Sequence, residues 1–344
     1  MDKAFSLQWH ITDKCDQRCK HCYIYAGEDN VCQQEMSIDT LNVVLGDYLD
    51  MCKKLSVAPY IAVTGGDPLL HKNAWEFFEL LKKNGVRFCI LGNPFHLSLQ
   101  AAKYLRELGC VSYQMSLDGL RETHDYIRKK GSFDITLEKV RTINEAGMRS
   151  IIMTTLSRTN MEELPKLVPV VVKAEVNTFA FARYCPNEND ISNMVTAQEY
   201  RDFLEKMWNV YNEYKDCGTR LMMKDHLWKL FLYEKGLLKF DDYDEEMIYD
   251  GCHCGIAHLT VLADGSVYAC RRCESCVGSV LNGSLYDIFL SKEMDEYRNY
   301  EAFEACSKCE LLRFCRGCPA VAKCATGSFY AKDPQCWKKF DIAD

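Results

Sequence analysis

Three cysteines near the N-terminus, Cys15, Cys19 and Cys22, have the clearest capacity for chemistry in this chain. Three residues separate the first pair and two separate the second. The alternating apolar run at residues 5–11 predicts a strand, so the thiols should lie on a tight loop at its C-terminal end. Cysteine thiolates hold [4Fe–4S] clusters, and three of them would bind three of the four irons. The fourth iron would then stay open to a ligand from outside the protein.

Two other interpretations of this loop stay open at the level of the residues. Three reduced cysteines can be ordinary buried thiols. They can also bind zinc, with His10 or His21 as the further ligand.

Composition bounds the class of protein. Hydrophobic residues make up 48% and charged residues 26%, as in soluble globular proteins. A net charge of −7 without a basic stripe argues against a nucleic-acid partner, and no run is apolar enough to span a membrane. With no export signal, we predict a cytoplasmic protein whose twenty cysteines are reduced. Nine of them fall between Cys252 and Cys318, which favours metal binding there.

Strand and helix patterns alternate over the first 215 residues. Strands are predicted at residues 5–11, 60–64, 87–91, 111–117, 150–156 and 178–182. Helices are predicted at residues 37–55, 73–83, 97–108, 134–146, 161–173 and 196–214. Asp134 is the expected N-cap of the fourth helix, and Thr196 with Glu199 forms a capping box for the sixth. Six βα units predict a parallel sheet that curls toward a barrel, with function at the C-terminal ends of its strands.

Several residues that follow these strands could bind a ligand at that rim. They are Gly65, Gly66, Asp67, Asn93, Ser116, Arg128 and Arg183. The two glycines let the backbone approach a ligand closely, and Asp67 adds a carboxylate suited to an ammonium group. Arg128 could pair with a carboxylate through both of its terminal nitrogens. Each of these residues also has a plainer interpretation as a turn or surface residue.

The three-cysteine loop, Gly65-Gly66-Asp67-Pro68 and Ser116-Leu117-Asp118-Gly119 together resemble the radical S-adenosylmethionine (SAM) superfamily. The resemblance implies an α/β fold with a partial (β/α)6 TIM-like barrel. It also implies a [4Fe–4S] cluster whose open iron is chelated by the amino and carboxylate groups of SAM.

Carried over to this chain, the resemblance makes Cys15, Cys19 and Cys22 the cluster ligands. The other predicted contacts are with SAM, and they involve Gly65, Gly66, Asp67, Asn93, Ser116, Arg128 and Arg183. The chain departs from the family pattern at two positions. Asp67 stands where glutamate is commoner, and His21 stands where an aromatic residue usually precedes the last cysteine.

The C-terminal region resembles the SPASM extension of this superfamily. The resemblance implies two auxiliary [4Fe–4S] clusters. The predicted ligands of the first are Cys252, Cys254, Cys270 and Cys318. Those of the second are Cys306, Cys309, Cys315 and Cys336. Cys254 is our choice for a fourth ligand that the pattern does not define, and the gap before Cys318 is one residue shorter than usual. The roles of Cys273, Cys276 and Cys324 stay open. Residues 260–268 predict a hairpin around Asp264-Gly265.

A zinc ribbon is the alternative for this region, because paired Cys-x2-Cys units also bind zinc. Zinc ribbons separate the pairs by about 15–20 residues, whereas five residues separate Cys309 from Cys315.

For the domain organisation, we predict a radical SAM core at residues 1–215, a bridging region at 216–250 and a SPASM domain at 251–344.

The resemblance implies reductive cleavage of SAM to a 5′-deoxyadenosyl radical, which abstracts hydrogen from a peptide or protein. Modification of a ribosomal peptide, such as a thioether cross-link, is the leading hypothesis. The alternatives are tetrapyrrole side-chain chemistry in the haem pathway, sulfatase maturation, and a non-catalytic iron–sulfur electron carrier or metal-binding regulator. The sequence singles out no catalytic acid or base.

The expected partners are a low-potential electron donor such as flavodoxin or ferredoxin and the peptide substrate. The barrel pattern begins close to residue 1, which leaves peptide recognition to the barrel or to a separate recognition protein.

Overall fold

The structure is a computed structural model that describes residues 4–25, 33–186, 191–240, 243–244 and 246–339. Ten strands in the described ranges form one sheet. The strands are Ala4–Thr12 (β1), Ala58–Gly65 (β2), Phe88–Leu91 (β3), Cys110–Ser116 (β4), Arg149–Leu156 (β5), Thr178–Arg183 (β6), Arg220–Leu221 (β7), His258–Val261 (β8), Ser266–Tyr268 (β9) and Cys276–Ser279 (β10). All six strands predicted for the core are present, close to their predicted bounds.

The first six strands pair in parallel in the order of the sequence, and the short β7 continues the sheet beyond β6. This confirms the predicted α/β fold with successive parallel strands. The C-terminal region continues the same sheet, because β8 pairs in parallel with the free side of β1. The hairpin predicted around Asp264-Gly265 is confirmed, since β8 and β9 pair antiparallel across it. The domain boundaries at residues 215 and 250 stay predictions.

Helices connect and cover the strands. They are Ile38–Lys54 (α1), Ala74–Lys83 (α2), Leu99–Glu107 (α3), Arg121–Ile127 (α4), Ser132–Glu145 (α5), Leu164–Lys173 (α6), Ala197–Glu213 (α7), Trp228–Glu234 (α8), Leu285–Phe289 (α9), Lys292–Asp295 (α10) and Pro319–Thr326 (α11). The predicted capping box is confirmed, because Thr196 accepts from the Glu199 backbone N–H and Glu199 accepts from that of Thr196. Within the described ranges, no helix has the length and apolar character needed to cross a membrane.

The prediction that Asp134 caps a helix is wrong. Helix α5 begins at Ser132, and Gly131 is its N-cap with a φ of +81°, a left-handed conformation that favours glycine. The carboxylate of Asp125 accepts hydrogen bonds from the backbone N–H groups of Gly131 and Phe133. A side chain from the preceding helix therefore satisfies the end of α5, and Asp134 lies within its first turn.

The position of β1 sets the position of the three-cysteine loop. Phe5, Leu7, Trp9 and Ile11 are all buried, which is why the alternating run forms a strand in the core. Tyr48 of α1 fixes this strand to β2, since its hydroxyl donates to the Phe5 carbonyl at 2.7 Å and accepts from the neighbouring strand. Because β1 has β2 on one side and β8 on the other, the loop after it lies next to both the core and the C-terminal region.

Candidate active site and cysteine clusters

A cavity of about 360 Å³ lies at the C-terminal ends of the parallel strands. Cys15, Cys19 and Cys22 all line it, as expected for side chains on the loop after β1. Each of the three is partly accessible, so a group in the cavity can reach them. The structure therefore brings the three predicted ligands together at the predicted rim.

The surroundings of these thiols suit iron-bound sulfur. Burial raises the pKa of Cys15 and takes the pKa of Cys19 to about 11, so in the absence of metal both thiols keep their protons. Asn93 Nδ2 lies 3.3 Å from Cys15 Sγ, and Arg128 Nη1 lies 3.6 Å from Cys19 Sγ. N–H donors and a positive charge aimed at sulfur stabilise the thiolate form that a cluster requires.

The spacing of the cysteines argues against the zinc alternatives. A tetrahedral zinc site with Zn–S bonds of about 2.3 Å holds its sulfurs about 3.8 Å apart. Within the part of the chain that the structure describes, no three thiols lie within 4.8 Å of one another. A cubane cluster accepts wider spacing, because each ligand binds a different iron. Among the described residues, the thiols are therefore not gathered around one point as a single zinc ion would require.

Gly65 and Gly66 are required by the cysteine loop itself. A Cβ at Gly65 would lie 2.1 Å from the Thr12 carbonyl oxygen, and a Cβ at Gly66 would lie 2.2 Å from that of Lys14. The backbone N–H of Gly66 donates to Thr12 at 2.7 Å, and that of Asp67 donates to Lys14 at 2.7 Å. The two glycines also line the cavity, so the motif both holds the loop and borders the ligand space.

Gly66→Ala is expected to displace the loop, because the new methyl group cannot share the space of the Lys14 carbonyl. We expect SAM-dependent formation of 5′-deoxyadenosine to fall about 100-fold, since misplacement of a reacting group by about 1 Å costs that much. Chromatography of the products under reducing, anaerobic conditions measures it. Gly46→Ala in α1 is the control, because its Cβ would meet nothing within 4 Å. Equal losses in both variants would contradict the role assigned to Gly66.

Asp67 lies behind the cavity rather than on its surface. The side chain is fully buried, and Oδ1 accepts a hydrogen bond from the Leu69 backbone N–H at 3.1 Å. Oδ2 has no hydrogen-bond partner in the structure. Burial raises the pKa of Asp67 to about 6. The predicted contact with an ammonium group stays a prediction, and the carboxylate as observed caps a short 3-10 helix at Pro68–Leu70.

Asn93 and Ser116 both line the cavity at the predicted rim. Asn93 follows β3, and its side chain donates to Asp16 Oδ1 at 3.0 Å as well as to the Cys15 sulfur. Tyr113 of β4 donates to the Asn93 carbonyl and so fixes the backbone there. Asn93 therefore contacts the cysteine loop directly, and its predicted contact with SAM stays a prediction, as does that of Ser116.

Arg128 already has a carboxylate partner within the chain. Its Nε donates to Asp118, whose side chain is fully buried, and the Arg128 charge keeps the pKa of Asp118 low. His21 lies 3.6 Å from the same carboxylate, and burial lowers the pKa of this histidine to about 4. The observed pairing places the cation beside Cys19. The predicted pairing with a ligand carboxylate stays a prediction, and both Nη atoms already have contacts, Nη1 with Cys19 Sγ and Nη2 with His21 Nε2 at 3.4 Å.

Arg183 is a buried ion-pair centre, so its interpretation as a surface or turn residue is wrong. Its side chain is 1% exposed, although the residue also borders the cavity. Nε lies 2.9 Å from Asp225, and the two Nη atoms contact Asp333 at 2.9 and 2.8 Å. Gln335 accepts a further hydrogen bond at 2.8 Å. Because these partners hold every guanidinium nitrogen, Arg183 ties the end of β6 to the C-terminal region.

The four cysteines predicted for the second auxiliary cluster lie close to one another. Burial raises the pKa of Cys306, Cys315 and Cys336. Neighbouring thiols of the same set raise each of these pKa values further. The four cysteines come from a 3-10 turn, the loop after it and the C-terminal segment. This proximity suits a shared cluster, whose ligation by these four residues stays a prediction.

The thiols predicted for the first auxiliary cluster divide into two neighbouring groups. The neighbouring thiols of Cys252 and Cys270, together with burial, raise the pKa of Cys254, in keeping with the choice of Cys254 as a nearby ligand. Cys318 instead belongs to a buried group against which Cys185 packs, and no motif contains Cys185. The assignment of Cys318 to the first cluster stays a prediction.

Sequence reasoning missed one thiol and three cationic side chains that line the cavity. These are Cys185, Lys224, Arg271 and Arg272. Cys185 follows β6, so the rule that function collects at strand ends could have indicated it. The other three lie in the bridging region and after β9, where no sequence pattern pointed to the barrel rim.

Two regions of the chain match known families. Residues 9–168 match the Radical SAM superfamily, and residues 252–310 match SPASM, an iron–sulfur cluster-binding domain. An AdoMet-dependent heme synthase of Oleidesulfovibrio alaskensis is 25% identical over 96% of this chain and 86% of its own length. Mycofactocin maturase MftC of Mycolicibacterium smegmatis is 24% identical over 98% of this chain and 83% of its own.

Solved structures show the same fold. SuiB of Streptococcus suis bound to S-adenosylmethionine superposes with a TM-score of 0.74 at 15% identity, over 98% of this chain and 78% of that one. The enzyme anSMEcpe with bound AdoMet has a TM-score of 0.74 at 18% identity, over 96% of this chain and 94% of that one. The two family matches follow each other in the predicted order, and the thiols that the first one requires meet in one cavity. The chain therefore carries a radical SAM domain followed by a SPASM domain, and it is an enzyme whose cofactors are iron–sulfur clusters and S-adenosylmethionine.

Proposed function

We propose that this enzyme modifies a ribosomally made peptide by radical chemistry. The observation that carries the proposal is a single cavity lined both by the three-cysteine loop and by Arg271 and Arg272 of the C-terminal region. When bound, the cluster supplies the electron that cleaves SAM to a 5′-deoxyadenosyl radical, which takes hydrogen from the substrate. The cavity residues of this chain position SAM and the substrate between the two cysteine-rich regions.

Two similar proteins support a peptide as the substrate. SuiB, which shares the fold, has been solved with its precursor peptide SuiA, and anSMEcpe has been solved with bound peptides. The homologous MftC is named as a maturase. A peptide that reaches the cavity of this chain would pass between the cysteine loop and the C-terminal region.

The charges in the cavity narrow the substrate further. Five cationic side chains line it, and no aspartate or glutamate does so among the described lining residues. Arg128 and Arg183 are paired with buried aspartates, but Nε of Arg271 has no hydrogen-bond partner. Burial lowers the pKa of Lys224, and the neighbouring charge of Arg272 lowers it further.

We therefore propose that the substrate presents a carboxylate to Lys224 and Arg271. Lys224 is solvent-exposed, although many protein atoms surround its ammonium group. This combination is expected for a side chain that projects into a cavity. Arg271 is held at the cavity by Tyr23, whose ring centre lies 4.5 Å from the guanidinium carbon. An acidic residue or the C-terminus of a peptide would supply the missing negative charge.

The positions of Lys224 and Arg271 at the cavity also favour a second candidate substrate, a tetrapyrrole that bears carboxylates. Propionate side chains would meet the same two cations, and the heme synthase relative matches over nearly the whole chain.

The two candidate substrates can be distinguished in a direct test. Anaerobically reconstituted enzyme, SAM and dithionite are incubated with the precursor peptide encoded nearest its gene, or with iron coproporphyrin III. A SAM-dependent mass change in the peptide supports the first candidate, a change confined to the porphyrin supports the second, and no change in either contradicts both.

Lys224→Gln and Arg271→Gln are expected to raise KM for the accepted substrate about 10–100-fold each. A hydrogen bond to a charged group is worth about 1.5–3 kcal/mol, and about 1.4 kcal/mol is tenfold in affinity. Steady-state kinetics measure the change. Lys103→Gln is the matched control, because that lysine lies on α3 with a side chain 56% exposed. A KM within twofold of the wild type in both cavity variants would contradict the proposed carboxylate.

A further inference from the structure

Strand β7 is the last strand of the sheet on the side away from the C-terminal hairpin. The backbone N–H groups of Arg220 and Met222 donate to carbonyls near the start of β6, both at 2.9 Å. Alternate residues of a strand direct their backbone groups to opposite sides, so the N–H and C=O of Leu221 face away from β6. No strand among the described residues pairs with β7 on that side. The edge can therefore receive a further extended segment.

A groove of about 490 Å³ lies beside this edge, and we call it the β7 groove. It is lined by α7, by the turn after α7 and by β7 itself. Its apolar and cationic lining includes Trp208, Tyr211, Lys215, Arg220, Leu221 and Met223. Tyr211 is 5% exposed, and its hydroxyl has no hydrogen-bond partner among the described residues. A buried tyrosine hydroxyl usually has a partner, so this one is available to a polar group that enters the groove.

The charged side chains that line the β7 groove are cations. Lys215 and Arg220 line it, whereas no aspartate or glutamate does so among its described lining residues. Both cations are exposed, and neither pairs with a carboxylate in the part of the chain that the structure describes. Glu213 and Asp216 are close in sequence but lie outside the lining. In a chain with a net charge of −7, a groove with this lining favours an acidic ligand.

The β7 groove lies next to the cavity at the ends of the strands. Met223 lines the groove, and Lys224, the next residue, lines the cavity. Leu221 is three residues before Lys224, and three residues of chain span at most about 10 Å. Lys224 is also one of the two cations to which the proposed substrate presents a carboxylate. A ligand that lies along β7 can therefore reach the cavity with its next few residues.

We propose that the β7 groove binds an extended, acidic segment of the peptide substrate, which adds to the sheet as a further strand beside β7. This assignment rests on the proposed function and deepens it, since recognition of the peptide would begin outside the cavity. Backbone hydrogen bonds to Leu221 would hold the segment, and its alternate side chains would pack on Trp208 and Met223. A tetrapyrrole has no N–H and C=O groups at the spacing of a strand, so this edge would not bind it.

Replacing Leu221 with proline tests the edge directly. Leu221→Pro removes the N–H that faces away from β6 and keeps the bonds of Arg220 and Met222, as proline on an edge strand allows. The precursor peptide encoded nearest the gene is labelled with fluorescein, and its binding to iron-loaded protein is followed by anisotropy. We expect Kd to rise about tenfold, because a hydrogen bond is lost and the proline ring occupies the place of its partner.

The charge of the groove is tested in the same assay. Lys215→Gln/Arg220→Gln is expected to raise Kd about fivefold, because two exposed ion pairs with the peptide are lost. Lys103→Gln is the control, since that lysine lies on α3, and its Kd should stay within twofold of the wild type. Wild-type affinity in both groove variants would overturn the proposal.

Hydrogen exchange of the wild-type protein tests the same contact if Leu221→Pro fails to fold. With the peptide at ten times its Kd, exchange of the Leu221 amide is expected to slow about tenfold, because only about a tenth of the sites stay free. Unchanged exchange of this amide in the presence of bound peptide would overturn the proposal. Protection of the amide without peptide, in protein that elutes as a dimer, would assign the edge to a second copy of the chain and overturn it as well.

Failure of the groove and failure of the proposed function give different results. A peptide that is modified, and that binds the wild type and both groove variants equally, would exclude the groove and leave the proposed function intact. Wild-type protein that binds no peptide and changes only the porphyrin would contradict both.

Discussion

Replacing Cys19 with alanine is expected to abolish the formation of 5′-deoxyadenosine from SAM. Cys15, Cys19 and Cys22 are the cysteines of the loop after β1, and removing one leaves two ligands for the cluster. The loss should exceed the roughly 10–100-fold that substitutions behind the ligands of a metal site cause. Chromatography of dithionite-reduced reactions measures the product, and iron analysis measures the cluster.

Cys217→Ala is the control for this variant. Its thiol is partly buried like that of Cys19, but it donates to the nearby Thr219 carbonyl and contacts none of the thiol groups described above. We expect wild-type product formation and iron content. Undiminished product in the Cys19 variant would contradict the assignment of the loop. Wild-type enzyme that holds clusters yet forms no product would instead favour the electron-carrier alternative.

The second large effect is on stability. Asp333→Ala removes the carboxylate that contacts both Nη atoms of Arg183, whose side chain is 1% exposed. The substitution also removes the acceptor of the Cys318 backbone N–H, which lies 2.7 Å away. Breaking a buried pair by removing one partner costs about 3–5 kcal/mol when the charge left behind has no other partner, and Arg183 keeps Asp225 at 2.9 Å, so we expect a cost of about 3 kcal/mol. We expect the free energy of unfolding to fall by that amount, as measured by urea denaturation of the iron-loaded protein under anaerobic conditions.

An exposed ion pair of the same length provides the comparison. Lys206 and Glu162 lie 2.9 Å apart, with 53% and 67% of their side chains exposed. Glu162→Ala is expected to cost at most about 1 kcal/mol, because solvent screens exposed pairs. Similar losses in the two variants would mean that burial does not govern the contribution of Asp333.

Much of the architecture could be predicted from local patterns. The alternation at residues 5–11 indicates a strand with one buried face, and sequence patterns of this kind located all six core strands. The three-cysteine loop was predictable because its ligands are close in sequence, so one turn of backbone suffices to bring them together. The start of α5 was predicted wrongly because the carboxylate that satisfies its N-terminal N–H groups, Asp125, comes from the preceding helix.

Contacts between segments that are distant in sequence determined the rest of the fold and of the candidate site. Local spacing cannot show that Arg183 meets Asp333 across 150 residues, or that Cys185 packs in one group with Cys318 and Cys324. The predicted ligand contact of Gly65 and Gly66 stays a prediction, and local spacing could not show that the cysteine loop occupies the space that a side chain at either position would need. Periodicity and motif spacing record what a residue does with its neighbours along the chain. Which segments face each other across a cavity depends on the order of strands in the sheet, and here β8 beside β1 brings the C-terminal cysteines to the barrel rim.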